Sequence, residues 1–244
     1  MKKIEISVVI PVYNASLNLK NLVEDLFIVL KNNFNSYELI LVNDKSLDDS
    51  WDIITNLCKS YSWIKGVELR KNIGQHNSIF AGLKYAEGDR IITMDDDCQH
   101  SPKYIVDLNA ELDKGHDVCY ANYISKKHNL FRKLGSKINN LIVTLLFRKP
   151  WNLNLTPFRC ISYQVKDEII KNKAPSVYLD GLILSITRNI SRILVIHNDR
   201  KFGKSNYTFL KLLNLWMQML TGFSVVPLRL ASILGFFFSI SGFI

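Results

Sequence analysis

Between residues 4 and 121, short β-rich apolar runs alternate with stretches whose apolar residues recur at helical spacing. This alternation restricts the fold more than any other feature. Parallel strands need crossover connections, and those crossovers are right-handed, so repeated strand–helix units specify an open, mostly parallel sheet covered by helices. Residues 4–12 (IEISVVIPV) form a continuous apolar run ended by Pro11 and Asn14, as expected of a strand buried on both faces. A helix follows, with Leu19, Leu22, Val23, Leu26, Phe27 and Leu30 on one side and Asn14 or Ser16 as its cap.

The pattern then repeats. Residues 37–42 read as a strand, and Asp48 is placed to cap a helix running to about Tyr61, with Trp51, Ile54, Leu57 and Cys58 on one side. Residues 66–69 read as a strand and 75–86 as a helix. Residues 90–94 (RIITM) form a strand that runs directly into Asp95, Asp96 and Asp97. Ser101 and Pro102 mark a helix start, because proline is tolerated at the first helical position, and residues 118–121 close the series as a fifth strand. Open sheets of this kind bind ligands beyond the carboxyl ends of their strands. Tyr13–Asn14, Asn43–Asp44 and the three aspartates all lie at such ends.

Three adjacent carboxylates repel one another unless a cation or solvent relieves them. In extended chain, Asp95 and Asp97 point the same way and form the natural pair for a hard divalent cation, which takes one or two carboxylates and completes its shell with water and phosphate oxygens. A solvated acidic turn is the plainer alternative. Asp44 suits a base N–H or a ribose hydroxyl, or simply a turn. The loop of residues 72–77 (NIGQHN) opens a helix whose free N–H groups suit an anion. The five histidines have no H-E-x-x-H or Cys/His spacing, so a zinc site is not expected. G-x-x-x-x-G-K-[ST], G-x-G-x-x-G and G-x-S-x-G are all absent. The four cysteines show no C-x-x-C and are expected as reduced, mostly buried thiols. The first residues do not read as a secretory leader, since Glu5 interrupts the apolar run and no small-residue cleavage site follows.

Composition and charge distribution extend the argument to the second half of the chain. The 244 residues carry 31 Lys and Arg against 22 Asp and Glu, a net charge of +9, and 48% are apolar, which excludes disordered and collagen-like classes. The positive charge gathers after residue 120, beside apolar stripes. Within residues 130–148, Phe131, Leu134, Ile138, Leu141, Ile142 and Leu145 fall on one helical side, with Arg132, Lys133 and Lys137 toward the other. That is an interfacial pattern favouring anionic lipid, against ordinary packing on the sheet. Residues 208–220 offer a second such helix. Residues 230–244 (LASILGFFFSISGFI) carry no charge; they are fewer than the ~20 needed to span a bilayer and read as the first part of a spanning helix, or else as a buried core helix. A nucleic-acid partner is not expected, because no aromatic-interleaved basic groove is present.

Together these motifs resemble the family 2 glycosyltransferases of the GT-A fold. Residues 8–14 (VVIPVYN) resemble the family's first strand and nucleotide-contacting turn, and residues 41–50 (LVNDKSLDDS) are similar to its V-D-D-G-S-x-D. Asn43 stands in place of the first acidic residue there, and Lys45 in place of glycine. Residues 72–102 resemble N-x-G…G-L…G-D…M-D-x-D-x-Q-H-x-P, with Asp95 and Asp97 as the D-x-D pair. Pro157-Phe158-Arg159, the run 178–182 (YLDGL) and the run 200–207 (RKFGKSNY) resemble segments of the polyprenyl-phosphate glycosyltransferases, relatives of dolichol-phosphate mannose synthase. No Q-x-x-R-W is present, which disfavours a processive synthase.

The resemblance implies an α/β GT-A domain with a Rossmann-like, mostly parallel sheet, C-terminal amphipathic helices and the start of a transmembrane helix. Its nucleotide-sugar half is expected over residues 1–122, its acceptor half over 123–207, and a juxtamembrane segment over 208–244. It implies an inverting transferase, dependent on Mg2+ or Mn2+, moving a sugar from a nucleotide-sugar to a polyprenyl phosphate at the cytoplasmic face of the inner membrane; a homo-oligomer is left open. Pro11, Tyr13, Asn14, Asp44, Gly74, Gln75, Asp95, Asp96 and Gln99 would bind the donor, and Asp95 and Asp97 the metal. Arg159, Arg200, Lys204 and Ser205 would bind the acceptor phosphate, with an ordinary structural ion pair as the alternative for Arg159. Asp97, Asp180 and Arg200 would serve catalysis, Asp180 as base or merely as a helix cap. The rivals are a family 2 transferase acting on a glycan or lipid-linked oligosaccharide and a non-catalytic nucleotide-sugar binding module.

Overall fold

The computed structural model describes residues 3–123, 144, 153–174 and 177–196. The chain opens β1 (Ile6–Val12), α1 (Leu19–Asn33), β2 (Tyr37–Asn43), α2 (Ser50–Ser60), β3 (Ile64–Glu68), α3 (Gln75–Leu83), β4 (Arg90–Thr93), α4 (Tyr104–Asp113) and β5 (Val118–Tyr123). The expected alternation is present, with strand ends displaced by no more than about two residues. All seven residues of β1 are buried. Ile6, Val8, Ile10 and Val12 join one apolar cluster and Val9 the other, so the strand is covered on both faces. Each such aliphatic side chain contributes ~1.5–3 kcal/mol by leaving water.

Four further elements follow: β6 (Arg159–Ser162), α5 (Tyr163–Ile170), α6 (Leu179–Ile186) and β7 (Ile190–Val195). One seven-stranded sheet results, in the order β3-β2-β1-β4-β6-β5-β7. β1 to β4 pair in parallel, as do β5 and β7, but β6 runs antiparallel between β4 and β5. The five strands of the first half are therefore not contiguous, and the second half completes the same sheet. β6 has only four residues and gives no usable periodicity, although every one of them is buried.

Helices α1, α2 and α4 contribute to one apolar cluster, and α3, α5 and α6 to the other. α3 lies unusually close to the sheet at Gly82, where an added Cβ would sit 2.5 Å from Val9 Cγ1 and 2.8 Å from Val42 Cγ2. Cys98, Cys119 and Cys160 are buried and Cys58 half-buried, all as free thiols. Among the described residues no helix is long and apolar enough to cross a membrane. The expected helices at 130–148 (apart from Thr144), 208–220 and 230–244 lie outside the described residues.

Candidate active site at the carboxyl edge of the sheet

β1, β2 and β4 are neighbours and parallel, so their carboxyl ends open on one edge. Among the described residues, the three non-glycine residues with left-handed backbone are Asn14 (φ 54°), Lys45 (φ 57°) and Cys98 (φ 58°), one in each loop on this edge. Backbone strain of this kind concentrates where surrounding structure over-determines it, often at functional sites. Here the over-determination is visible. Asn14 N donates to Ser46 Oγ (3.1 Å), Ala15 N to Ser50 Oγ (3.0 Å), Ser16 N to Asp48 Oδ2 (3.0 Å) and Leu47 N to Asn14 Oδ1 (2.7 Å).

These bonds correct the expected caps. Asn14 and Ser16 do not cap α1; the residue there is Asn18, with no side-chain cap bond. Asp49 occupies the cap position of α2, again without a side-chain bond, while Asp48 one residue earlier accepts from Ser50 N at 3.1 Å. Burial acts to raise the Asp48 carboxyl, but hydrogen bonds from Ser50 and Ser16 outweigh it and hold the group below its ordinary value.

Asp44 is buried and accepts from Ile73 N and Gly74 N, both at 2.8 Å. Gly74 takes φ +84°, which brings its amide to the carboxylate before α3 begins. The two amides just before the helix are thus satisfied by a carboxylate of the chain itself. Burial pushes the Asp44 carboxyl above its ordinary value despite those bonds. Beside Asp44, a cleft of about 430 Å³ is lined by Lys45, Glu68, Leu69 and Arg70.

The three aspartates have different partners. Asp96 Oδ2 accepts from Tyr13 N at 3.0 Å, which ties β4 to the β1 loop. Asp95 Oδ1 accepts from Gln75 Nε2, and Asp97 Oδ1 from Gln99 N at 3.1 Å. Burial first, then the negative charges of Asp95 and Asp97, raise the Tyr123 phenol above its ordinary value. No third His, Cys or carboxylate makes a metal cluster with them among the described residues. An oxygen pair of this kind fits Mg2+ or Mn2+ completed by water and phosphate oxygens, and does not fit an all-protein cage. His100, legible only as part of the Q-H flank, accepts from Asp95 N at 3.2 Å through Nδ1 and stacks on Phe158 at 5.2 Å.

A second cluster lies deeper. Arg159 is 1% exposed, and its guanidinium is directed at Asp180, Tyr120 and Thr93. Arg159, expected as an acceptor-phosphate ligand or else as a structural ion pair, forms a buried ion pair with Asp180. Burial works against its charge, and Asp180 outweighs that, raising its value above the ordinary one. Asp180 sits in the first turn of α6 and does not cap it, since the cap residue is Tyr178. His76 packs edge-on against Tyr178 at 5.1 Å, and burial lowers its value, so it is neutral at physiological pH. Tyr120, Thr93 and His76 carried no signal in the sequence, where they read as strand, strand and loop residues. Arg200, Lys204 and Ser205 lie outside the described residues.

Comparison with known proteins follows the geometry. The model of the family described as Glycosyl transferase family 2 matches residues 7–172. The undecaprenyl-phosphate 4-deoxy-4-formamido-L-arabinose transferase of Photorhabdus laumondii subsp. laumondii is 34% identical over 241 residues, covering 98% of this chain and 74% of that protein. Its namesake in Proteus mirabilis is 33% identical over 241 residues, with the same coverage. Among solved structures, glucosyl-3-phosphoglycerate synthase from Mycobacterium tuberculosis, in complex with Mn2+, UDP and glucosyl-3-phosphoglycerate, superimposes with TM-score 0.62 at 14% identity over 88% of this chain and 77% of that one. S. aureus TarS 1–349 in complex with UDP-GlcNAc gives TM-score 0.56 at 17% identity over 91% of this chain and 74% of that one. At those identities the structural likeness establishes the shared GT-A-like fold.

Proposed function

The chain belongs to glycosyl transferase family 2, and on that premise we propose that it moves one sugar from a nucleotide-sugar to a polyprenyl phosphate of the undecaprenyl type at the cytoplasmic face of the inner membrane. What carries the acceptor half of this reading is relatedness along 98% of the chain to transferases named for undecaprenyl phosphate. The donor half is supported by the Asp95–Asp97 pair at the carboxyl edge.

The reaction is a single displacement. An acceptor phosphate oxygen attacks the anomeric carbon, the bond from that carbon to the nucleoside diphosphate breaks, and the configuration inverts. A divalent cation held by Asp95 and Asp97 would stabilise the charge that develops on the leaving diphosphate. Asp96 keeps the β1 loop, with Pro11, Tyr13 and Asn14, in register with that pair. Gln75 orients Asp95 from the entrance of α3, and Asp44 holds the same entrance through Gly74. The acceptor phosphate is already ionised near neutral pH, so little is asked of a base; Asp180 is the carboxylate that would assist. Arg200, Lys204 and Ser205 would hold the acceptor phosphate, and basic amphipathic segments beside them would face anionic lipid.

The test measures nucleoside diphosphate release with and without Mg2+ or Mn2+ and undecaprenyl phosphate, with the mass of the lipid product naming the sugar. Uridine-diphosphate sugars lead the screen, because solved fold neighbours hold UDP or UDP-GlcNAc. Transfer to a free sugar or glycan that ignores added lipid phosphate would overturn the acceptor assignment.

A further inference from the structure

Three residues far apart in the chain occupy one row across the sheet. Thr93 on β4 is in register with Arg159 on β6, and Arg159 with Tyr120 on β5. Residues in register on adjacent strands place their side chains on the same face. Only the antiparallel insertion of β6 achieves this, because it brings the first residue of that strand to the last residue of β4. All three side chains are buried, and so is Asp180, which descends on the row from α6 with its side chain 9% exposed.

The hydrogens in the row can be assigned one by one. Thr93 Oγ1 donates to Pro157 O at 2.6 Å, so its lone pair takes Arg159 Nε at 3.1 Å. Tyr120 OH donates to Asp180 Oδ1 at 2.9 Å, so its lone pair takes Arg159 Nη1 at 3.3 Å. Arg159 Nη1 also pairs with Asp180 Oδ1. Each hydroxyl has one proton and spends it in a fixed direction. Thr93 is followed by Met94 and then Asp95, so the same chain of bonds that orients Asp180 starts two residues from the acidic pair. Asn77 Oδ1, accepting from Val177 N at 3.0 Å, ties the entrance of α6 to that of α3.

We infer that Thr93, Arg159 and Tyr120 are positioning residues which set the Asp180 carboxylate at a fixed place relative to Asp95 and Asp97, and that Arg159 acts through Asp180 and not as a ligand of the acceptor phosphate. This rests on the transferase reading above. Among the described residues the guanidinium is 1% exposed, with Nε on Thr93 and Nη1 on Tyr120 and Asp180, so these atoms are turned to the row and away from solvent.

The experiment uses the full chain in membranes, with three single variants: Tyr120→Phe, Thr93→Val and Arg159→Lys. Tyr120→Phe keeps the ring packing and removes only the hydroxyl. Its kcat is expected to fall about a hundredfold, the cost of misplacing a reacting group by about 1 Å. The KM for undecaprenyl phosphate and the affinity for the nucleoside diphosphate should stay within about twofold of wild type, because uniform binding is untouched. In an Asp180→Asn background, Tyr120→Phe should cause no further loss, since the group it acts through is gone. Thr93→Val carries the same expectations if Tyr120→Phe does not fold. Arg159→Lys keeps the charge but loses the fork, and should lower kcat with acceptor KM unchanged. Wild-type kcat in Tyr120→Phe and Thr93→Val would overturn the inference. So would an undiminished loss in the Asp180→Asn background, or an Arg159→Lys variant whose acceptor KM rises more than about tenfold at near-normal kcat. If wild type itself transfers nothing to undecaprenyl phosphate, the acceptor reading fails on its own. The same variants are then compared on hydrolysis of the nucleotide-sugar by water, where the kcat losses and their absence in the Asp180→Asn background are again expected.

Discussion

The two sides of the carboxyl edge are built by different means. On the side proposed for the donor, loops after β1, β2 and β4 are held by exchanges between side chains and backbone amides of neighbouring loops, as when Asp48, Ser50 and Ser46 capture the amides of residues 14–16. On the side proposed for the acceptor, one buried row of Thr93, Arg159 and Tyr120 is joined by side-chain bonds across three strands and anchored to one backbone carbonyl, that of Pro157. The first arrangement carries backbone strain and is divided among several separate bonds. The second is dry and all-or-none, because a buried charge that loses its partner costs ~3–5 kcal/mol. Substitutions on the donor side should therefore change rates or stability in separable steps, whereas those on the acceptor side should couple.

The largest expected effect belongs to Asp97→Asn. It removes one charge of the Asp95–Asp97 pair while keeping the side chain's shape and an oxygen for Gln99 N. We expect kcat to fall about a thousandfold or more, in line with the loss of a charge that stabilises a developing anion, with the melting temperature little changed. Stopped assays of nucleoside diphosphate release, with calorimetry on the same protein, measure both. Near-normal turnover would remove the metal from the donor side and break the contrast at its base.

Gly82→Ala comes next, and it strikes both sides at once. α3 carries Gln75 toward Asp95 and Asn77 toward Val177, so its depth on the sheet sets both regions. A methyl group 2.5 Å from Val9 Cγ1 must push the helix or the strand. Overpacking of this kind costs about 1–3 kcal/mol, read as a lowered denaturation midpoint. If the midpoint falls while kcat of the folded fraction holds, α3 is a support; if kcat falls first, α3 is a shared frame for the two sides.

How far sequence reasoning reached follows the same division. The β1 run, the helical spacing of Leu19 to Leu30 and the three polar strand ends are local signals, and each was recovered in place. Gly82 and Asp96 were visible as motif letters, but their reasons, close approach to Val9 and capture of Tyr13 N, depend on distant partners. The row could not be seen. Thr93 and Tyr120 lie in apolar strands where nothing distinguishes a hydroxyl that will meet an arginine. β6 is too short to show a period, and its antiparallel direction is decided by packing between β4 and β5. Caps were misassigned by a residue or more because Ser16 and Asp48 satisfy each other across loops.

Asp48→Ala tests how local the donor side is. Losing a side chain that accepts the amides of Ser16 and Ser50 should cost ~1 kcal/mol at neutral pH, as for a helix cap. The carboxyl's value in the folded chain lies below the ordinary 3.8, so its contribution is present above 3.8 and lost as pH falls through the lowered folded value. The difference between wild type and variant should therefore shrink below about pH 3.8 in urea titrations. A constant difference across that window would assign the effect to packing.

The smallest effect is the most informative about strain. Lys45 holds φ 57° at the position of the glycine in the V-D-D-G-S-x-D pattern that residues 41–50 resemble, and its ion pair with Glu68 at 3.3 Å is exposed on both partners. A left-handed residue with a side chain costs ~1–2 kcal/mol. Glycine removes that cost but loses ~0.5–1 kcal/mol more conformational freedom on folding, and the exposed pair is worth ~0–1 kcal/mol. Lys45→Gly should thus stabilise by less than about 1 kcal/mol, raising the melting temperature by roughly 1–3 °C. If donor KM is unchanged, the strain at Lys45 is incidental and the loop is held by its amide exchanges alone. If donor KM rises while stability improves, the lysine beside the cleft of Glu68, Leu69 and Arg70 is retained for the ligand. The donor side would then trade local stability for binding, where the buried row keeps stability and geometry in the same bonds.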